Sequence, residues 1–409
     1  MKKKLFFGAL VLTLSLGLFG CGKSDKQEPA TTEAQTAGGQ SADAKPSDFL
    51  KDPEVIDKTN QINRLVDQYY YFDVDQASQT DAYYRGIMDG LGDPYSEYYS
   101  KEEFEAMNED SSGEYVGVGA VVRQDADHTV VVVRPIKNSP AQAAGIKAGD
   151  IIRQVDDMVV TDQDLNTVVT KIRGKEGEKA HIKVYRESEG KTLDFEIVRR
   201  KVENYSVEYR LDGNVGYIEV MEFNEKTLPE FKEAVDDVLA QGAKGIIFDL
   251  RDNPGGLVDI CTHMCSYILD GGEILVTKDK NDRVVDEYTD EDDHHVDVPM
   301  VIIVNGNSAS AAEIFSGVMK DTGKAKLVGT TTYGKGIVQS VIPLKDGSAV
   351  KITIAKYFTP SGYDLHKKGI EPDYVVELPD DLQSAVDLPI EDDTQYKKAM
   401  ELIKEEIGE

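Results

Sequence analysis

The sequence has little cysteine and a deficit of positive charge. Three cysteines in 409 residues do not predict a disulfide framework. Cys261 and Cys265 stand four residues apart, on one face of a predicted helix, and are expected to be two buried thiols. Lys and Arg total 46 against 75 Asp and Glu, a net charge of −29 that argues against nucleic-acid or anionic-lipid binding by the folded body. The acidity otherwise serves solubility.

The N-terminal apolar run, Leu5–Gly20, is shorter than the about 20 residues that a membrane-spanning helix needs. It follows three lysines and ends in Leu-Phe-Gly-Cys at 18–21, which resembles the lipobox of bacterial lipoproteins. This resemblance implies that residues 1–21 are a lipoprotein signal peptide and that Cys21 is lipidated. The mature protein is then lipid-anchored in the bacterial cell envelope, on the extracytoplasmic side. An uncleaved anchor or an ordinary signal peptide is the alternative.

Composition and periodicity divide the rest of the chain. Residues 22–48 hold almost no large apolar side chains, which predicts a flexible tether. From 49 to 112, apolar residues recur three and four apart, as in helices, and the tyrosines at 69–71, 83 and 84 are expected to pack there. Short β-branched segments separated by turns fill 113–202 and predict a compact β-rich module.

Beyond Glu203, strand and helix patterns alternate as far as about residue 382. This alternation predicts an α/β core, a mostly parallel, mixed sheet packed with helices. An acidic amphipathic helix is predicted for 383–409. The predicted fold class is therefore α/β in a multidomain α+β chain, with a helical N-terminal region and an inserted β-rich domain.

The stretch NSASAAEIFSGVMKD, residues 307–321, sets two serines at a predicted helix start with no histidine nearby. Ser310 and Glu313 fit the S-x-x-E capping box, in which the two side chains satisfy free N–H groups of the first turn. The alternative is that Ser308 or Ser310 is a nucleophile at a helix N-terminus, where N–H groups and the helix dipole favour an oxyanion. The motif alone favours the cap.

Two other segments bear on this serine. The glycine turn 252–256 follows a predicted buried strand, and in open α/β sheets ligands bind at the carboxyl ends of strands; a plain turn is the alternative. Lys335 is flanked by glycines, and Gln339 is four residues away. Most lone lysines are on the surface, but burial would lower the lysine pKa from about 10.4 towards neutrality, as a general base requires. Ser–Lys pairs are a known variant of the serine nucleophile with its base, so a histidine is not required.

A third pattern lies in the β-rich module. Gly117-Val118-Gly119-Ala120 opens its first long strand, and SPAQAAGIKAGDII follows at 139–152. The two together resemble a PDZ domain, whose Gly-x-Gly loop offers N–H groups to the terminal carboxylate of a peptide. The resemblance implies that residues 117–120 bind peptide.

Taken in order, these motifs resemble the carboxyl-terminal processing peptidases, or tail-specific proteases, serine peptidases with an inserted PDZ domain. The resemblance covers residues 55–380 and rests on LGDPYSEYYS, GVGA, SPAQAAGIKAGD, IRGKEGE, FDLRDNPGG, VNGNSASAAEI, YGKGIVQ and TPSGYDLHKKGIEPD. It implies that Ser310 is the nucleophile, Lys335 the general base and Gln339 the residue that orients the lysine. It also implies an oxyanion hole from the N–H groups of Gly256 and Ala311, with Ser308 supporting the turn.

Arg173, in IRGKEGE, either couples the PDZ domain to the peptidase core or is a turn arginine. The resemblance implies an extracytoplasmic serine endopeptidase that recognises substrate C-termini through the PDZ domain, 113–202, and cleaves near them in the peptidase core, 203–382. Its expected partners are polypeptides with free C-termini and, through lipid, a membrane, but no nucleic acid. No metal or nucleotide cofactor is expected, because neither a ligand cluster nor a phosphate loop is present.

Several alternatives remain at this point. A homodimer through the terminal helices and an adaptor protein that loads substrate are both open. The chain could instead be a PDZ scaffold or chaperone that has the peptidase fold but no peptidase activity. The presence of Ser310, Lys335 and Gln339 argues against this alternative. A serine hydrolase of small esters would share the nucleophile, but a tail-binding domain favours a polypeptide substrate.

Overall fold

The computed structural model describes residues 51–125, 128–161, 163, 165–203, 205–379, 382 and 388–409. The predicted signal peptide, Cys21 and the predicted tether lie outside the described residues. The chain divides into two compact units, one ending at Gly90 and the other running from Leu91 to Glu409. In the described part, no helix combines the length and apolar character needed to cross a membrane.

The first unit is a pair of helices, α1 (Pro53–Tyr69) and α2 (Gln76–Asp89). Asp52 and Asp75 are the N-caps, and each carboxylate accepts the N–H two residues on. The expectation that the tyrosines of this region pack is wrong for the unit itself. All five are exposed, up to 89 % for Tyr71. Helical periodicity predicted the helices correctly, but two short helices have too little facing surface to bury such large rings.

The second unit starts with a strand inside the region predicted to be helical. This strand, β1 (Glu97–Tyr99), is followed by α3 (Lys101–Ser111). Helix α3 begins with a capping box in which the Ser100 hydroxyl accepts the N–H of Glu103, and the Glu103 carboxylate accepts that of Ser100. Strand β1 has only three residues and exists because it pairs with a distant strand, so local periodicity could not predict it.

The β-rich module begins and ends with paired strands. Its elements are β2 (Glu114–Gly117), β3 (Ala120–Gln124), β4 (Val130–Pro135), α4 (Pro140–Ala144), β5 (Ile151–Val155), β6 (Met158–Val159), α5 (Leu165–Ile172), β7 (Lys179–Arg186), β8 (Lys191–Val198) and β9 (Arg200–Glu203). Strands β3, β4, β5, β7 and β8 form one sheet in that order, with β6 paired to β5. Strands β2 and β9 pair antiparallel where the chain enters and leaves. Apolar side chains from the sheet and both helices make a separate core.

The remaining elements form an α/β core. They are β10 (Val207–Asp212), β11 (Val215–Val220), α6 (Thr227–Ala240), β12 (Gly245–Asp249), α7 (Val258–Ile268), β13 (Glu273–Lys278), β14 (Val284–Thr289), β15 (Met300–Val304), α8 (Ala311–Asp321), β16 (Ala325–Gly329), β17 (Ile337–Pro343), β18 (Ala349–Phe358), β19 (Tyr374–Val375) and α9 (Thr394–Ile407). The predicted α/β class with a mixed sheet is confirmed.

The larger core sheet has the order β10-β11-β12-β15-β16-β19 and is parallel except for β10. Ile246 and Phe248 of β12 face the core under α6, α7 and α8, whereas Ile247 faces the core under α9. Burial on both faces explains why β12 and β15 are continuously apolar in sequence. Among the described residues of the segment 383–409 the structure has one helix, α9 (Thr394–Ile407), and its apolar side, including Leu402 and Ile403, covers the sheet of its own chain.

A second core sheet is antiparallel and carries the candidate base. Its order is β1-β18-β13-β14, with β17 paired to the other edge of β18. Strand β17 starts two residues after Lys335, and its Gln339 lies opposite Thr353 of β18. This sheet therefore brings the Lys335 segment to the carboxyl end of the parallel sheet, where α8 begins.

Candidate active site

Ser310 occupies the turn between β15 and α8 and has a strained backbone. Its φ of 55° and ψ of −116° are rarely adopted by residues other than glycine, and such conformations cluster at functional sites. Only 6 % of the residue is exposed. Ser308, in contrast, donates its hydroxyl to the carbonyl of Leu250 at 2.7 Å and accepts the N–H of Asn305 at 2.9 Å. The prediction that Ser308 supports the turn is confirmed.

Glu313 connects the two candidate catalytic segments. Its buried carboxylate accepts the N–H of Ser310 at 3.0 Å, as a helix cap would, and also the N–H of Lys335 at 2.8 Å. It further accepts the N–H of Gly334 at 2.7 Å and the hydroxyl of Thr332 at 2.5 Å. Burial raises the pKa of Glu313, and these hydrogen bonds oppose the rise. One carboxylate thereby fixes the start of α8 against the lysine loop.

The glycine turn after β12 packs directly on the start of α8. A Cβ on Gly255 would come within 2.7 Å of the Ser310 Cβ, and one on Gly256 within 2.1 Å of the Phe223 carbonyl oxygen. Both positions therefore require glycine. In the described part of the chain, no group accepts a hydrogen bond from the N–H of Gly256 or of Ala311. Two unengaged N–H groups beside a serine are suited to stabilising an oxyanion.

Asn253 holds this turn in place. Its amide donates to the Val220 carbonyl at 2.7 Å and accepts the N–H of Gly255 at 2.8 Å, while its own carbonyl accepts the N–H of Ala309. The side chain is fully buried. No sequence pattern indicates this role, because Val220 and Ala309, two of the residues that Asn253 contacts, are distant along the chain.

Lys335 is buried, as its candidate role requires. It is 5 % exposed, and its Nζ lies 4.8 Å from the centre of the Tyr95 ring. Burial, assisted by the neighbouring Lys351, lowers the pKa of Lys335 to about 8, although nearby carboxylates oppose this shift. The prediction that a buried lysine here would have a pKa near neutrality is confirmed in direction. Such an amine is partly unprotonated at neutral pH and can accept a proton.

Gln339 and Tyr357 complete the surroundings of the lysine. The Gln339 side chain is buried, and its Nε2 lies 3.4 Å from the Thr353 hydroxyl. The buried Tyr357 hydroxyl hydrogen-bonds to the carbonyl oxygens of Ser310, at 3.1 Å, and of Lys335. Tyr357 is therefore a second side chain, after Glu313, that links the Ser310 segment to the Lys335 segment. Sequence reasoning missed it, because an apolar strand pattern gives no sign of which tyrosine reaches another segment.

The two remaining cysteines lie behind this site. Cys261 and Cys265 are free and fully buried on α7, which confirms the prediction of two buried thiols. The Cys261 thiol donates to the carbonyl of Ala311 at 3.1 Å. Within the described residues, no group of three or more His, Cys, Asp or Glu side chains is arranged to hold a metal ion.

The loop 117–120 joins β2 to β3 at one edge of the β-rich module. The carbonyl of Val118 accepts the N–H of Ala141, and that of Gly119 accepts the Ser139 hydroxyl at 2.8 Å. A Cβ on Gly119 would lie 2.3 Å from that of Ser139, which explains the glycine. Among described residues nothing accepts a hydrogen bond from the N–H groups of Val118 and Gly119, and both residues are buried. Val118 and Ala120 also line a small apolar cavity, of about 10 Å³, inside the core of the module.

Arg173 follows α5 and reaches out of the β-rich module. Its guanidinium forms an ion pair with Asp110 of α3 and lies 4.8 Å from the centre of the Tyr115 ring. Because α3 precedes the module, this contact joins the module to the segment before it. The carbonyl of the neighbouring Ile172 accepts a hydrogen bond from the buried Arg199.

The chain is similar to known serine proteases. Residues 214–376 match the model of peptidase family S41, and residues 131–186 match that of a PDZ domain. The chain is 38 % identical over 330 residues to a probable CtpA-like serine protease of Staphylococcus aureus strain COL, covering 80 % of this chain and 66 % of the relative. It is 36 % identical to the corresponding protein of Staphylococcus haemolyticus, covering 86 % and 72 %. The chain thus spans about two thirds of the length of these relatives.

The structural comparison adds a solved enzyme. The photosystem II D1 C-terminal processing protease is 27 % identical to this chain, with a TM-score of 0.54 over 83 % of this chain and 91 % of that one. The chain therefore belongs to the carboxyl-terminal processing peptidases, the serine peptidases of family S41 that carry a PDZ domain.

Proposed function

We propose that this protein is an endopeptidase that uses a Ser310–Lys335 dyad and recognises its substrates by their C-termini. The observation that carries the proposal is the shared carboxylate of Glu313, which holds the N–H groups of both residues within 3.0 Å. A lysine with a lowered pKa and a serine in a strained turn are thereby held in one rigid unit.

The proposed reaction proceeds through an acyl-enzyme. The neutral Lys335 amine removes the hydroxyl proton of Ser310, whose oxygen attacks the carbonyl carbon of the scissile peptide bond. The resulting oxyanion accepts hydrogen bonds from the N–H groups of Gly256 and Ala311. The lysine ammonium then gives its proton to the leaving amine, and the C–N bond breaks. Water, deprotonated by the same amine, hydrolyses the ester and regenerates the serine.

Substrate selection is proposed to use the loop 117–120. Its unengaged N–H groups suit a terminal carboxylate. An adaptor that delivers substrate is compatible with this arrangement. The ion pair of Arg173 with Asp110 supports coupling between the PDZ domain and the rest of the peptidase.

The decisive test is cleavage of an unfolded polypeptide with an apolar C-terminus by the full-length protein. Ser310→Ala and Lys335→Ala should each abolish cleavage, and amidation of the substrate tail should weaken it. Cleavage retained by Lys335→Ala would remove the dyad from consideration. Tail binding without cleavage by the wild-type protein would instead favour a PDZ scaffold or chaperone.

We also propose that Cys21 anchors the protein to the extracytoplasmic face of a membrane through lipid. The proposal is supported by the LFGC sequence at 18–21. Incorporation of labelled fatty acid by the wild-type chain, and its loss in Cys21→Ser, is the expected result. Equal labelling of both chains would contradict it.

Of the two terminal regions considered for a homodimer, the N-terminal one is better supported. Helix α9 uses its apolar side on its own sheet, whereas α1 buries none of its residues and exposes Ile62 and Leu65. Sedimentation of the full-length protein should show a dimer that Ile62→Glu and Leu65→Glu together convert to monomer. An unchanged mass in this variant would exclude this surface.

A further inference from the structure

Behind the candidate base lies a chain of hydrogen bonds that begins at Asp93, in the LGDPYS segment before β1. One carboxylate oxygen of Asp93 accepts the Ser96 hydroxyl at 2.6 Å and the Thr353 hydroxyl at 2.7 Å; the other accepts the N–H of Tyr95 at 3.1 Å. Thr353 in turn donates its N–H to the Ser96 hydroxyl at 3.0 Å. Asp93 and Thr353 are thus locked together across 260 residues of sequence.

The chemistry of a carboxylate fixes the direction of every bond in this chain. Partial burial opposes ionisation of Asp93, but hydrogen bonds from Ser96, Thr353 and Tyr95 hold its pKa below the ordinary value. An ionised carboxylate only accepts, so the single hydroxyl hydrogen of Thr353 is committed to Asp93. The Thr353 oxygen is then left as an acceptor for Gln339.

The hydrogen bond to Thr353 therefore decides which end of the Gln339 amide faces Thr353. Its Nε2 lies 3.4 Å from the Thr353 oxygen and is the end that can donate to it. The amide carbonyl oxygen must consequently point to the other side. Gln339, on β17, and Lys335, two residues before this strand, are both buried, 3 % and 5 % exposed. A carbonyl oxygen directed to the lysine side accepts an amine hydrogen and so directs the nitrogen lone pair.

We propose that Asp93 and Thr353 are positioning residues of this peptidase, which hold the Gln339 amide so that its carbonyl orients the Lys335 amine towards Ser310. The proposal rests on the dyad proposed above and adds the reason why the lysine accepts a proton from one direction. The other charged or titratable groups facing Lys335 are Lys351 of β18, Glu97 of β1, Glu313 of α8 and Tyr95. His366, from the loop before β19, faces Asp93.

Thr353→Val is the sharpest test, because it exchanges one hydroxyl for a methyl group. The amide is then free to turn its NH₂ group to the lysine, which disfavours the ammonium form and misdirects the amine. We expect kcat to fall by about tenfold to a hundredfold with little change in KM, and the acid limb of the pH profile to move to lower pH. Thr353→Ser, which keeps the hydroxyl, should restore both the rate and the midpoint.

Two further variants separate positioning from packing. Asp93→Asn should displace the acid limb in the same direction, because it removes both the obligate acceptor and a negative charge near the lysine. Thr277→Val is the matched control: Thr277 is a buried strand threonine hydrogen-bonded to Asp286 in the same sheet, and its loss should leave rate and midpoint unchanged. A fall in rate with an unmoved midpoint in Thr353→Val would overturn the proposal.

A second measurement does not depend on activity. In full-length Ser310→Ala protein with ¹³C-labelled lysines, NMR titration follows the Lys335 amine, whose signal is identified by its absence in Lys335→Arg. Addition of Thr353→Val should lower the pKa of Lys335, and an unchanged pKa would refute the positioning role. If the wild-type protein cleaves nothing while this pKa still moves, the proposed peptidase reaction fails and the positioning inference stands.

Discussion

Replacing the candidate base should make the protein more stable. Lys335 is buried in its charged form at neutral pH, and its pKa falls from the ordinary 10.5 to about 8. At about 1.4 kcal/mol per pH unit, this corresponds to about 3 kcal/mol of unfavourable free energy in the folded state. The value already includes attraction to Glu97, Glu313 and Asp93. Lys335→Met keeps the approximate volume and removes the charge, so it should gain that amount at pH 7 while abolishing cleavage.

The gain should depend on pH in a defined way. Below pH 8 both folded and unfolded chains hold the lysine proton, so the penalty is constant. Between pH 8 and 10.5 only the unfolded chain holds it, and the stability of the wild-type protein rises relative to the variant. The difference in free energy of unfolding should therefore shrink from about 3 kcal/mol at pH 7 to about 1.5 kcal/mol at pH 9.5.

Urea unfolding of the full-length proteins, followed by circular dichroism at both pH values, measures this difference. Lys351→Met is the matched control, since Lys351 is equally buried but forms an ion pair with Glu97 at 3.1 Å. Its replacement leaves Glu97 without that partner and should destabilise the fold. The reasoning is refuted if Lys335→Met is no more stable than wild type at pH 7, or if its advantage does not change with pH.

Two more substitutions test the frame around the dyad. Gly256→Ala places a methyl group 2.1 Å from the Phe223 carbonyl oxygen, so it should displace the turn. We expect kcat to fall by about a hundredfold or more, with tail binding by the PDZ domain unchanged. A near-normal kcat would exclude the N–H of Gly256 from the oxyanion hole. Glu313→Gln turns an NH₂ group either towards the N–H groups of Ser310 and Lys335, which share one carboxylate oxygen, or towards the N–H of Gly334 at the other. It should lower the free energy of unfolding by about 1–3 kcal/mol together with the loss of cleavage, and a variant of full stability would show that the shared carboxylate is dispensable.

The parts of the fold that depend on local pattern were predictable. Strands β12 and β15 are apolar runs, and the helices α6, α7 and α8 beside them follow the 3.6-residue period, so the α/β core could be expected from sequence. The resemblance then selected Ser310 over Ser308, a choice that the residues alone left open. The hydroxyl of Ser308 is committed to backbone groups, whereas Ser310 occupies the strained turn.

The parts that depend on distant contacts were not predictable. Strand β1 has three residues and pairs with a strand some 250 positions later, so its own sequence carries too little signal. Asp93 belongs to the site through its hydrogen bond to Thr353, and Tyr357 through hydrogen bonds to the carbonyls of Ser310 and Lys335. Sequence spacing gives no measure of such distances. The domain boundaries drawn from composition remain predictions.

The paired strands β2 and β9 have a consequence for how such enzymes can diversify. The chain enters the PDZ module at Glu114 and leaves it at Glu203, and these two residues lie opposite each other in one short ladder. A segment whose ends adjoin can be exchanged as a cassette, because the host strands need only be rejoined at one point. Under the proposed recognition of substrate C-termini, replacing residues 114–203 with those of another member of the family should change which protein tails are selected and leave the peptidase core unchanged.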